Sequence, residues 1–224
     1  MARFDRLTVY NTILADGMVP LFYHADYEVA ANVAGALAQG GARTLEFTNR
    51  GESALETFRA LISHLAKSAP SIIVGVGTIE DAPTAALFIA HGANFVVAPN
   101  FNPEVARLCN RRKIAYIPGV ATVTEIATAE EYGAEIVKMF PAESVGGPAF
   151  IKGVLAPRPW TRIMPSGGVS TDEDNLRAWF DAGAACVGMG SQLIRSAWIQ
   201  AGKYDAIAQE TSDVLARIRK IHAR

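Results

Sequence analysis

Cysteine is nearly missing from this chain. Only Cys109 and Cys186 occur in its 224 residues, far apart and without CxxC spacing, which supports neither a disulfide scaffold nor a zinc-thiolate cluster and favours a reducing compartment. Histidine is scarce as well: His24, His64, His91 and His222 make no HxH or His-rich constellation of the kind that holds a catalytic metal. An excess of either charge is missing too. With 21 basic and 22 acidic side chains the net charge is -1, and no basic block marks a nucleic-acid surface or a membrane patch. No run of about 18 apolar residues is present for a transmembrane helix. Residues 1–16 alternate charged and apolar side chains and lack the uninterrupted apolar region of a signal peptide. The expectation is a soluble, cytoplasmic protein whose partner is a small molecule.

Half of the residues are hydrophobic, enough for a substantial core, and the length suits a single α/β barrel domain over residues 1–224. Apolar positions at Phe4, Leu7, Ile13 and Leu14 predict a leading helix that stops at Asp16-Gly17. Short apolar runs then predict strands over 18–23, 44–48, 72–78, 95–98, 115–118, 136–139, 162–165 and 186–189. Helical patterns fall between them, over 26–39, 52–67, 81–91, 103–112, 124–132, 148–155 and 172–182, with a closing helix over 204–221. The Gly-Ala pairs at 41, 92, 133 and 183 read as helix stops leading into the next strand. Eight alternations without a linker predict a parallel sheet, and the count predicts a closed (β/α)8 TIM barrel with an N-terminal extra helix. A doubly wound open sheet is the competing architecture.

In such a barrel the chemistry gathers at the carboxyl ends of the strands. Lys138 stands inside the apolar run Ile136-Val137-Lys138-Met139, before a turn carrying Pro141 and Glu143. Loss of hydration disfavours the ammonium form of a buried lysine, and a neutral amine can attack a ketone to form a Schiff base. Read alone, the octapeptide favours a lysine whose stem lies on apolar surface while its head reaches water, because charged residues are mostly exposed. Alternation puts Glu46 and Thr48 on one face of the second strand and carries Arg50 into the loop. Thr78 fits a ligand or a helix N-cap. Ser166-Gly167-Gly168 and Gly190-Ser191, after the seventh and eighth strands, expose backbone N–H groups where a barrel holds phosphate; ordinary glycine turns are the alternative.

As a set, Leu45-Glu46-Phe47-Thr48-Asn49-Arg50, Val74-Gly75-Val76-Gly77-Thr78, Ile117-Pro118-Gly119-Val120-Ala121-Thr122, Val137-Lys138-Met139-Phe140-Pro141-Ala142-Glu143 and Pro165-Ser166-Gly167-Gly168-Val169 resemble the class I 2-keto-3-deoxy-6-phosphogluconate (KDPG) and 4-hydroxy-2-oxoglutarate (KHG) aldolases. The resemblance spans residues 19–193. It implies cleavage of KDPG to pyruvate and glyceraldehyde 3-phosphate, with Entner-Doudoroff metabolism as the setting and a homotrimer as the assembly. It also implies roles: Lys138 as Schiff-base lysine, Glu46 as general acid/base, Arg50 and Thr78 as binders of the substrate carboxylate. Ser166, Gly167, Gly168, Gly190 and Ser191 match the phosphate loops, and Pro99 and Phe140 the pocket wall; no cofactor or metal is implied. Ser166, Met139, Asn49, Asn100 and the Tyr23-His24-Ala25-Asp26 stretch depart from the commoner family residues. They bear on the choice of sugar acid, because aldolases for the galactonate epimer share the same core. A metal-dependent aldolase and a non-catalytic phosphate-binding barrel are the competing functions.

Overall fold

The computed structural model describes residues 2–223; Met1 and Arg224, the outermost positions of the expected domain, lie outside the described residues. Helix α1 (Arg6–Asp16) starts on Asp5, whose carboxylate accepts from the N–H groups of Leu7 and Thr8, and ends on Gly17 at φ 69. A left-handed stop of this kind favours glycine. Parallel strands and helices then alternate: β1 (Met18–Phe22), α2 (Tyr27–Gln39), β2 (Thr44–Thr48), α3 (Ala54–Ser68), β3 (Ile73–Gly77), α4 (Ala82–Ala90), β4 (Phe95–Val97) and α5 (Pro103–Arg112). The second half runs β5 (Ala115–Ile117), β6 (Gly119–Val120), α6 (Val123–Glu131), β7 (Val137–Met139), α7 (Gly147–Leu155), β8 (Ile163–Pro165), α8 (Glu173–Asp181), β9 (Val187–Met189), α9 (Ser196–Gln200) and α10 (Tyr204–His222). Asp26, Asn102 and the Thr122/Glu125 capping box hold the starts of α2, α5 and α6.

Two expectations need correction. The fifth strand is not continuous over 115–118: it breaks at Pro118, which has no N–H to donate to a ladder, into β5 and β6. Helix α9 was not foreseen, because its five residues are too few to show helical periodicity.

The strands form a six-stranded sheet of order β5-β4-β3-β2-β1-β9 and a three-stranded sheet of order β6-β7-β8. Every pairing is parallel. An isolated parallel bridge joins Ser166 to Gly188. Two apolar layers result. Leu45, Phe47, Val74 and Val76 belong to the layer between strands and helices, with Phe58 and Phe88 of α3 and α4. The alternate residues Val19, Ile73, Phe95, Val97, Ile117, Ile136, Met164 and Cys186 form a separate inner cluster. Val9, Tyr10 and Ile13 of α1 join that inner cluster. The amino-terminal helix therefore covers the amino ends of the strands, and the residue two positions further along each strand points inward at the opposite end.

Candidate active site

Lys138 is the inward residue of β7, one pleat beyond Ile136. It pairs in register with Gly119 on one side and Met164 on the other, and its N–H donates to the Pro118 carbonyl at 2.8 Å. Its relative exposure is 5%, so the alternative in which the ammonium reaches water along an apolar surface does not hold: the residue points into the fold rather than out. Glu46, fully buried on β2, brings Oε1 to 3.8 Å from Lys138 Nζ. Neither Glu46 oxygen has a hydrogen-bond partner. The two groups are close enough to attract and too far apart to share a proton directly. The Phe140 ring lies beside the lysine, its centroid 5.2 Å from Nζ.

Gly77 explains where the carboxylate can sit. It pairs with Thr48 on β2, and a Cβ there would come within 2.5 Å of Glu46 Cδ. Absence of a side chain on β3 is thus what makes space for the acid. Gly119 serves similarly across the strand array: a Cβ at that position would strike the backbone of Pro99. Pro99 thereby lies against the residue paired with Lys138.

Thr78 is not the cap of α4. Asp81 caps that helix by accepting from the Thr84 N–H, whereas Thr78 adopts φ 59, a conformation uncommon outside glycine. Its hydroxyl accepts from Arg50 Nε at 3.3 Å. Strained residues of this kind gather at functional sites, and here the strain sets a hydroxyl beside a guanidinium.

Arg50 also lines a cavity of about 680 Å³, together with Phe140, Ser166, Gly167, Gly168 and Gly190-Ser191. Both glycine loops predicted to bind phosphate therefore face the same space. Gly167 and Gly168 hold φ 90 and 86, a left-handed pair that only glycine adopts without strain. Lys138, Glu46, Thr78 and Pro99 are not in that wall. Lys138 meets the cavity through Phe140, and Thr78 through Arg50. Leu21 and Gln192, to which sequence reasoning assigned no role, line it as well, as do Tyr23, from the stretch expected to bear on sugar-acid choice, and Glu143, from the turn after Lys138. Glu143 stands against Gly168; its exposure and its position in the wall agree with a residue of the turn rather than with the buried acid/base. Among the described residues no group of three or more His, Cys, Asp or Glu side chains could hold a metal ion.

Comparison with known proteins gives the family of the chain. The family model described as KDPG and KHG aldolase matches residues 9–210. The KHG/KDPG aldolase of Escherichia coli strain K12 is 34% identical over 204 residues, 90% of this chain and 92% of that protein. A KDPG aldolase structure from Legionella pneumophila, with pyruvate captured as a covalent carbinolamine, superposes with a TM-score of 0.82 at 27% identity, covering 91% of this chain and 96% of that one. A structure described as native KDPGal gives a TM-score of 0.82 at 25% identity, covering 92% and 96%.

Proposed function

The chain belongs to the KDPG and KHG aldolase family and is an aldolase, a lyase of carbon–carbon bonds; from that premise we propose that it cleaves KDPG to pyruvate and glyceraldehyde 3-phosphate through a Schiff base on Lys138. KHG is a second substrate on this reading. The observation that carries it is the isolated Lys138–Glu46 pair, buried at 3.8 Å with both carboxylate oxygens otherwise unbonded. Burying a charged pair with so few hydrogen bonds is costly for a structural element, and under-satisfied buried groups of this kind mark functional sites.

The chemistry follows from the positions. Arg50 offers its planar fork to the substrate carboxylate, with Thr78 beside it. Lys138 attacks C2, and loss of water gives an iminium that draws electrons from the bond between C3 and C4. Glu46 takes the proton of the C4 hydroxyl as that bond breaks and the aldehyde departs. The enamine left behind regains a proton at C3, and hydrolysis frees pyruvate and the lysine. The iminium supplies the electron sink, so no metal or cofactor enters the scheme. Ser166, Gly167, Gly168, Gly190 and Ser191 hold the phosphate through hydroxyl and backbone N–H groups, while Pro99 and Phe140 keep water from the amine.

The same proposal treats the two sheets as arcs of one closed (β/α)8 barrel forming a single domain. Its support is the Ser166–Gly188 bridge and the single residue, Pro118, between β5 and β6. A homotrimer in the cytoplasm, working in Entner-Doudoroff sugar-acid breakdown, completes it, with light scattering as the check on assembly.

Borohydride reduction in the presence of pyruvate tests the central claim. A stable adduct mapping to Lys138 and loss of cleavage in Lys138→Ala are expected, in buffer with EDTA as without it. Wild-type turnover in Lys138→Ala would refute it. Comparing kcat/KM on KDPG, its galactonate epimer and KHG identifies the preferred acid, since differential transition-state binding sets specificity.

A further inference from the structure

Strand β2 carries three buried oxygen atoms without a hydrogen-bond partner, the two of the Glu46 carboxylate and Oγ1 of Thr48. Thr48 is 1% exposed. It lies one pleat beyond Glu46 toward the carboxyl end of the strand, beside Gly77 in register, and the two-residue side-chain period directs both side chains to the same inward face. The hydroxyl at the foot of this column behaves differently: Thr44 Oγ1, one pleat before Glu46, donates to the Met18 carbonyl at 3.3 Å. Burying a hydroxyl without a partner is unfavourable where a valine of the same shape would fit without that cost. A threonine at 48 is therefore explained by a partner that the chain itself does not provide, and its neighbours in the column are the acid and, across it, the amine.

We propose that Thr48 is a further catalytic residue: its hydroxyl, together with the Glu46 carboxyl group, holds the oxygen of the reacting ketone as it passes from carbonyl to carbinolamine hydroxyl to water. This rests on the Schiff-base reading of Lys138. The separation of 3.8 Å between Nζ and Oε1 admits one oxygen within hydrogen-bond reach of both, at roughly 2.7–3.0 Å from each. In the first step the Nζ lone pair forms a bond to C2 and the carbonyl π pair moves to oxygen. The proton lost from nitrogen reaches that oxygen by way of Glu46, giving a neutral carbinolamine. In the second step the proton that Lys138 gave up on becoming a neutral amine, held meanwhile by Glu46, joins the hydroxyl, the C–O bond breaks with its electron pair going to oxygen, and water leaves. The remaining nitrogen lone pair completes the C=N bond of the iminium. Thr48 donates to the oxygen in the first step, when charge grows there, and keeps the departing water in line for the reverse hydrolysis. Its hydroxyl itself is neither consumed nor ionised.

The test uses the full-length enzyme and the variants Thr48→Val and Thr48→Ser, with three readouts: steady-state kcat and KM for KDPG cleavage, the single-turnover rate at which borohydride-trappable adduct forms with saturating pyruvate, and the melting temperature. Thr48→Val is expected to slow adduct formation and kcat about 10–100-fold, the range for losing one hydrogen bond to an oxygen on which charge develops, with KM within about threefold and a melting temperature equal to or above wild type. Thr48→Ser, which restores a hydroxyl, is expected to return both rates to within about threefold. A structural role predicts the reverse pattern, a lowered melting temperature without rescue by serine, and that result would overturn the proposal. So would Thr48→Val with both rates within about twofold of wild type. Should Thr48→Val not fold, Thr48→Ala against Thr48→Ser supplies the same comparison. If wild type gives no adduct on Lys138, the Schiff-base reading itself fails; if the adduct forms there at equal rates in wild type and Thr48→Val, only the role of Thr48 does.

Discussion

Gly77→Ala is a substitution of one methyl group that the backbone tolerates and the active site does not. Gly77 has an ordinary strand conformation, so alanine brings no strain in φ; the objection is Glu46 alone. The added Cβ would lie 2.5 Å from Glu46 Cδ and 2.8 Å from Cγ, and nearer still to Oε1, whereas Cβ contacts essentially never fall below 3.0 Å. The carboxylate must retreat by at least half an ångström at Cδ and by about 1 Å or more at Oε1. A displacement of about 1 Å in a catalytic group costs on the order of 100-fold in rate, which is about 2.7 kcal/mol of barrier. Overpacking should also lower stability by about 1–3 kcal/mol. Cleavage coupled to lactate dehydrogenase measures the first effect and urea unfolding the second. A double-mutant cycle isolates the cause: in a Glu46→Ala background the alanine at 77 meets no carboxylate, so its stability cost should shrink to a few tenths of a kcal/mol. Gly77→Ala with kcat/KM within about threefold of wild type, or an undiminished stability cost when Glu46 is truncated, would refute the reasoning.

Arg50→Lys keeps the charge but loses the planar fork and the Nε contact to Thr78. A charge-assisted contact contributes about 1.5–3 kcal/mol, so KM for pyruvate-bearing substrates should rise about 10–100-fold with kcat little changed; an unaltered KM would remove Arg50 from carboxylate binding. Alkaline pH should destabilise the fold through its two thiols. Burial pushes Cys109 and Cys186 from 9.0 up to about 12, so between those values the unfolded chain has lost protons that the folded chain keeps, and stability falls as pH rises. Each thiol contributes full stability below pH 9.0 and loses on the order of 1.4 kcal/mol by about pH 10. Urea midpoints that stay flat from about pH 8 to pH 10.5, or a decline undiminished in Cys186→Ala, would contradict this.

Much of the fold is legible because parallel strands buried on both faces read as short continuous apolar runs, and each is followed by a helix with its own cap. Asp26, Pro103 and the glycines at 41, 92, 133 and 183 mark boundaries close to those observed. The break at Pro118 and the five-residue helix α9 escape that reading, since a one-residue interruption and a single turn leave no periodic trace. At the site, Thr78 shows the limit most clearly. A threonine three residues before Asp81 fits an N-cap by local rules, and only the positive φ and the Arg50 contact decide against it. Tyr23, Leu21, Gln192 and Glu143 reach the cavity from loops and strand ends distant in sequence, and nothing local to any of them signals a shared wall.

By itself the sequence determined the order of strands and helices, the absence of metal-ligand spacing, and the residue types able to run imine chemistry, because periodicity and side-chain reactivity are local properties. It left Lys138 divided between a buried nucleophile and a residue lying along the surface, since an apolar run specifies a strand without specifying which face meets water. Tertiary structure decided that matter. Pairing β7 between β6 and β8 turns Lys138 inward, the bare Gly77 lets Glu46 come to 3.8 Å from it, and the unpartnered Thr48 completes the column. Distances among residues separated by about 30 to 90 positions follow from strand register within each sheet and from how the two sheets pack against one another.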